Sequence, residues 1–206
     1  MDSLSISSRS PIPGAGYPPR GLFIDRWGTL LEPPEGHFEG RFERVEFTPG
    51  SLDALFHAGQ ADWKLYLLGN EEDVAFGRLP EARWRAFEED LLEHLRAHGI
   101  PITRCYACLD HPQGVKPHTR DSVFLLPNTG ALYHAAQFDG IYLDHCWVVG
   151  DGTLELVAGW RAGCRLAGIG SPATLGDSEL QVEPQIWGES MAEVVRDITA
   201  DSRVAR

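Results

Sequence analysis

Apolar residues along this chain follow two spacings in turn. Short continuous apolar runs bounded by Gly, Pro, Asn or charge occur at Leu22 to Asp25, Lys64 to Leu68, Ile102 to Cys108, Cys146 to Val149, Cys164 to Ile169 and Gln185 to Trp187, and each predicts a strand. Helical spacing fills the gaps. It predicts helices over Pro49 to Ala58 after Thr48, Glu81 to His98, Asn128 to Gln137 after Pro127, a segment from Asp151 to Ala162, and Ser190 to Ile198. The second of these places Trp84, Phe87, Leu91, Leu92 and Leu95 on one face, with Gly99 as its stop. Strands alternating with helices predict an α/β fold whose parallel sheet is covered on both faces. Residues 1 to 19, rich in Ser and Pro and without hydrophobic period, are expected to be a disordered leader, and residues 20 to 206 one domain.

Composition narrows the partners. With 206 residues, 43% of them hydrophobic, the chain suffices for one core. A net charge of −12, with 18 Lys and Arg in no basic tract, argues against nucleic acid as a partner. No run approaches the ~18 apolar residues of a membrane span and no signal segment opens the chain, so no membrane partner and a cytoplasmic location are expected. Four dispersed cysteines read as reduced core thiols. Cys105-x-x-Cys108 has no second pair at finger spacing, and His94 and His98, one helical turn apart, have no evident third ligand. Trp63 and Trp160 read as exposed aromatics, which singly do not establish an interface.

Two of the strands end in carboxylates. Asp25 closes Leu22-Phe-Ile, Asp151 follows Trp147-Val-Val-Gly150, and Glu155 lies one helical turn beyond Asp151. In an open parallel sheet the carboxyl ends of strands face the ligand crevice. Three acids converging there would repel one another, and Mg2+ is the cation suited to oxygen-only ligands.

The ordered set Asp25-x-x-Gly28-Thr29-Leu30, Pro49-Gly50, Leu68-Gly69-Asn70-Glu71-Glu72-Asp73-Val74-Ala75-Phe76-Gly77 and Gly150-Asp151-Gly152-Thr153-Leu154-Glu155 resembles the haloacid dehalogenase superfamily. The similarity runs from about Gly21 to Ile169 and is greatest with the branch of histidinol phosphatase and heptose bisphosphate phosphatases. The resemblance implies a three-layer Rossmann-like domain without a large cap. It also implies an Asp25 that attacks phosphorus to form an aspartyl phosphate, and Mg2+ held by Asp25, Asp151 and the backbone carbonyl of Trp27. Asn70 and Lys116 are the candidate phosphate-binding residues, Lys116 because Lys116-Pro117 is the remaining Lys-Pro pair.

The chain also departs from the pattern. Trp27 stands in the place of the general acid, Gly69 in that of a Thr or Ser hydroxyl, and Leu126-Pro127-Asn128 where a Lys-Pro pair belongs. A positioned acid alone contributes ~10²- to 10⁴-fold to rate. In the branch's zinc loop Cys108 remains, while Asp110, Ser122 and Phe124 replace ligands, so no zinc is expected. Trp27 has three readings: a ring filling the crevice, an aromatic wall for an unusual substrate, or the aromatic residue of true dehalogenases. The functional expectation is a catalytically impaired protein that keeps a magnesium and phosphate crevice for a phosphorylated small molecule or a protein partner. The alternatives are an active Mg2+-dependent phosphomonoesterase and a haloacid dehalogenase-type hydrolase.

Overall fold

The computed structural model describes residues 19–34, 36, 38–170 and 182–204, with side chains to residue 200. The expected leader lies outside these residues, except for its last position. Among the described residues six strands form one parallel sheet: β1 (Arg20–Asp25), β2 (Trp63–Asn70), β3 (Ile102–Cys108), β4 (Trp147–Gly150), β5 (Arg165–Ile169) and β6 (Ile186–Gly188), in the order β3-β2-β1-β4-β5-β6. The helices are α1 (Ser51–Gln60), α2 (Glu72–Ala75), α3 (Glu81–Ala97), α4 (Gly130–Asp139), α5 (Thr153–Arg161) and α6 (Met191–Val204). This is the Rossmann-like α/β architecture of haloacid dehalogenase-type folds.

Strand residues alternate between two cores. Leu22, Ile24, Leu65, Leu67, Val149 and Ala167 pack with residues of α1, α3 and α6, whereas Phe23, Tyr66, Leu68, Val148 and Leu166 pack with α4 and α5. Both faces are therefore apolar, which is why the strand segments read as continuous hydrophobic runs. On α3, Trp84, Phe87, Leu91 and Leu95 are buried, each contributing about 1.5–3 kcal/mol by leaving water. Leu92, expected on the same face, is only half-buried because it falls at the edge of the stripe.

Chain direction reverses at one place in the sheet. The β1-α1-β2 and β2-α3-β3 crossovers build outward on one side, then α4 returns the chain to the other side of β1 as β4. Helices change face at that step, since each crossover keeps the same hand. The β1/β4 boundary is thus the switch point, with Ile24 paired to Val149. The carboxyl ends of these two strands open a crevice between them.

Several boundaries differ from expectation. The first helix begins at Ser51, after Gly50 in the left-handed region at φ 73°, and the last runs on to Val204. The short helix α2 was not anticipated, because four residues carry no helical period. Trp63 is buried, 5% exposed, beneath the Arg20 guanidinium, which lies 4.3 Å from its ring; Trp160 is exposed as expected. Among the described residues, no helix is long and apolar enough to cross a membrane.

Candidate functional site

Asp25 ends β1 and Asp151 follows β4, so the neighbouring strands deliver both carboxylates to the switch point. The first turn of α5 adds Glu155. Each of the three offers an oxygen, and these oxygens lie within 4.8 Å of one another. Glycines make this approach possible. A Cβ on Gly28, whose φ is +82°, would stand 2.1 Å from Asp151 Oδ2, and one on Gly150 would stand 2.2 Å from Glu155 Oε1. The Gly152 N–H donates to Glu155 Oε1 at 2.6 Å, fixing that side chain against the start of its own helix.

Burial disfavours charge on all three acids, and repulsion adds to it at Asp25 and Glu155. The Asp25 carboxyl is held well above the usual carboxylate range, first by burial and then by Glu155 and Asp151. Burial raises Asp151 as well, against a hydrogen bond from Thr29, and pushes Glu155 up to about 7. An oxygen-only donor set that is costly to ionise alone suits a hard divalent cation such as Mg2+. The residues present fit that ion.

Trp27, Asn70 and Lys116 have other surroundings. The Trp27 ring turns into an aromatic group, edge-on to Phe38 at 4.9 Å and stacked on Phe87 at 5.9 Å between centroids. It lines a cavity of about 250 Å3 with Pro34, Asn70, Glu71, Arg78 and Trp84. Asp25, Asp151 and Glu155 are not among the residues lining that cavity. The Asn70 side chain clasps the backbone of Leu126: Nδ2 donates to its carbonyl at 3.0 Å, and its N–H donates to Oδ1 at 2.8 Å. Lys116 is exposed, on a loop held to α2 by the Val115 N–H donating to the Ala75 carbonyl at 2.8 Å.

That loop is also anchored through His118, which is buried, 7% exposed, with Nδ1 3.4 Å from Asp110 and Nε2 3.5 Å from Glu81. The Cys108 thiol donates to the Asp110 carbonyl at 3.3 Å. His94 packs its ring on Phe42 and Phe47 and has its charged form disfavoured by burial.

Three further residues shape the site. Thr29, fully buried, donates from Oγ1 to Asp151 Oδ1 at 3.1 Å. Arg26, also fully buried, pairs with Glu71. The Gly-Thr turn after Asp25 was visible in the sequence as a motif, but a hydroxyl's acceptor 122 residues away was not.

No family model matches the sequence. The chain is 28% identical over 176 residues to D-glycero-beta-D-manno-heptose-1,7-bisphosphate 7-phosphatase of Mesorhizobium japonicum, covering 84% of this chain and 77% of that one. It is 26% identical over 132 residues to the histidine biosynthesis bifunctional protein HisB of Legionella pneumophila, covering 63% of this chain but 35% of that protein. Its fold superposes on the D,D-heptose 1,7-bisphosphate phosphatase of B. bronchiseptica, crystallised with magnesium and phosphate, at a TM-score of 0.75 and 23% identity, over 88% of this chain and 99% of that one. A HAD-like phosphatase from Mesorhizobium loti gives 0.73 at 25% identity over 92% and 89%.

The chain's homologues and structural neighbours are haloacid dehalogenase-superfamily phosphatases. Like those neighbours it has the α/β sheet, and on it Asp25 and Asp151 meet.

Proposed function

We propose that the protein holds Mg2+ at Asp25, Asp151 and Glu155, with the Trp27 carbonyl as a further ligand, and receives a phosphorylated small molecule in front of Asp25. Turnover is curtailed by the residues at 27, 69 and 126. The supporting observation is the cluster of three acids whose oxygens lie within 4.8 Å of one another at the switch point. When bound, the cation supplies positive charge for the carboxylates and for a phosphoryl oxygen.

The side chains account for the weakness. An Asp25 oxygen is the nucleophile, and the bond from phosphorus to the leaving oxygen must break as the new one forms. Trp27 has no proton to give at neutral pH, so an alkoxide would leave unprotonated, at a loss of ~10²- to 10⁴-fold. Gly69 and Leu126 offer no donor to the phosphoryl group. Asn70 can assist only with the amide hydrogen its clasp on Leu126 leaves over. Because the relatives are named for heptose bisphosphates, a sugar phosphate is the first physiological ligand to test.

An activated aryl phosphate separates the catalytic from the noncatalytic reading, since its leaving group scarcely needs protonation. Calorimetry should show Mg2+ binding to the unaltered chain and none to Asp25→Asn. Aryl phosphate should be hydrolysed slowly with Mg2+, and an alkyl phosphate not detectably. Absence of aryl hydrolysis with Mg2+ binding retained would make the crevice a binding module. Mg2+ affinity in Asp25→Asn and in Asp151→Asn equal to that of the unaltered chain would overturn the assignment itself.

A further inference from the structure

Arg26 comes directly after Asp25, and alternation along β1 sends its side chain toward the face that holds Ile24 and α3. There it is fully buried, and it is the meeting point of four elements. Its guanidinium pairs with Glu71 just beyond β2, which is itself 5% exposed. Nη2 donates to Cys105 Sγ of β3 at 2.9 Å and lies 3.9 Å from Glu88 of α3, and the guanidinium carbon sits 4.8 Å from the Trp84 ring. The Cys105 thiol donates onward to Glu88 at 3.1 Å. Backbone bonds run in parallel: the Arg26 N–H donates to Leu68 at 3.1 Å, and the Glu71 N–H to Cys108 at 2.8 Å.

Room for this pair exists because residue 69 has no side chain. A Cβ on Gly69 would stand 2.8 Å from Arg26 Nη1 and 2.9 Å from Glu71 Oε1. Neither group can swing aside cheaply, since each would leave a buried charge unpaired. A side chain at 69 would therefore have to displace the ends of Arg26 and Glu71 from each other.

We infer that Arg26, clamped by Glu71 in the space Gly69 leaves, is a positioning residue for the acidic site. Pinning its side chain to the end of β2 fixes the backbone on either side of it, and so the direction of the Asp25 carboxylate and of the turn through Gly28 to Leu31. That turn is closed by the Gly28 N–H donating to Leu31 at 2.7 Å and the Leu31 N–H donating to the Arg26 carbonyl at 2.9 Å. The link to cation binding rests on the function proposed above.

The test uses the full chain. Arg26→Met strands Glu71 and should lower the thermal midpoint by ~10 °C. Arg26→Met/Glu71→Met removes both charges at similar bulk and should recover most of that loss, yet bind Mg2+ ~10-fold more weakly by calorimetry, as losing an outer-shell support does. Its amides at Gly28, Leu30 and Leu31 should also exchange faster. Gly69→Ala should lower the midpoint by ~10 °C in the unaltered chain and by a third of that or less beside the double change, the non-additivity expected of groups in contact. A double variant with unaltered Mg2+ affinity and unaltered exchange would overturn the inference, as would a Gly69→Ala cost that is the same in both backgrounds. Should the unaltered chain bind no Mg2+, the proposed function fails, and the exchange and Gly69 measurements still decide the role of Arg26.

Discussion

The Thr29 hydroxyl donates to Asp151 Oδ1 at 3.1 Å, joining the turn after β1 to the turn after β4 across 122 residues of chain. The same Thr29 accepts at its carbonyl from Thr48 Oγ1 at 2.7 Å, so its own position is held from below. Thr29→Val keeps the shape and removes the donor. Mg2+ affinity should fall ~10-fold while Thr29→Ser stays near the original, because a partner behind a metal ligand orients it. Titration calorimetry on both variants decides this, and equal affinities would show that Asp151 needs no such support.

Stability of the metal-free protein should depend on pH in a direction set by the acids. Burial carries Glu155 from an ordinary 4.5 to about 7, so between those values the folded state binds more protons than the unfolded chain. The contribution is fully present below the unfolded value and is lost as pH rises toward 7, a decline on the order of 3 kcal/mol. Asp25 and Asp151, both raised, act in the same sense. Thermal midpoints measured from about pH 5 to about pH 8 should fall without metal and be restored by Mg2+, which binds the ionised carboxylates. Glu155→Gln should flatten the decline; a metal-free midpoint that climbs over this range would contradict the burial of these acids.

Trp27 contributes packing through its ring and, in the proposed site, a backbone carbonyl, and the two are separable. Trp27→Ala should cost about 3 kcal/mol in urea unfolding, through lost contacts with Phe38 and Phe87. Mg2+ affinity should stay within about threefold, because a backbone ligand does not depend on the side chain. Loss of metal binding without loss of fold would place the ring itself in the site.

Asn70 braces the Leu126 segment with two hydrogen bonds. Asn70→Ala should destabilise by about 2 kcal/mol and raise amide exchange at Leu126 and its neighbours, since each bond contributes about 1 kcal/mol. Phosphate affinity, measured with Mg2+ present, is the separate readout. A drop there without faster exchange would show the amide serving the ligand rather than the loop.

Asp25, Asp151 and Glu155 were readable from the sequence because each lies within a few residues of a strand end, and strand ends follow from local apolar runs. Arg26 was not. A lone charge after an apolar run carries no sign of its partner, and Glu71, Glu88 and Cys105 lie 45 to 79 residues away. The orientation of Trp27 was equally hidden, since the ring's neighbours Phe38 and Phe87 come from a loop and a distant helix. Trp63 misled for the same reason: burial under Arg20 is a tertiary contact.

Hydrophobic periodicity by itself determined that strands and helices alternate, that both sheet faces are covered, and that two strands end in acids. Only the tertiary structure decided that β1 and β4 are neighbours, with Ile24 beside Val149, so that Asp25 and Asp151 share one crevice. Local pattern records whether a residue faces a core, because burial on a strand or helix repeats with the element's own geometry. Which strands pair, and which charges meet, depends on crossovers that bring together residues far apart along the chain.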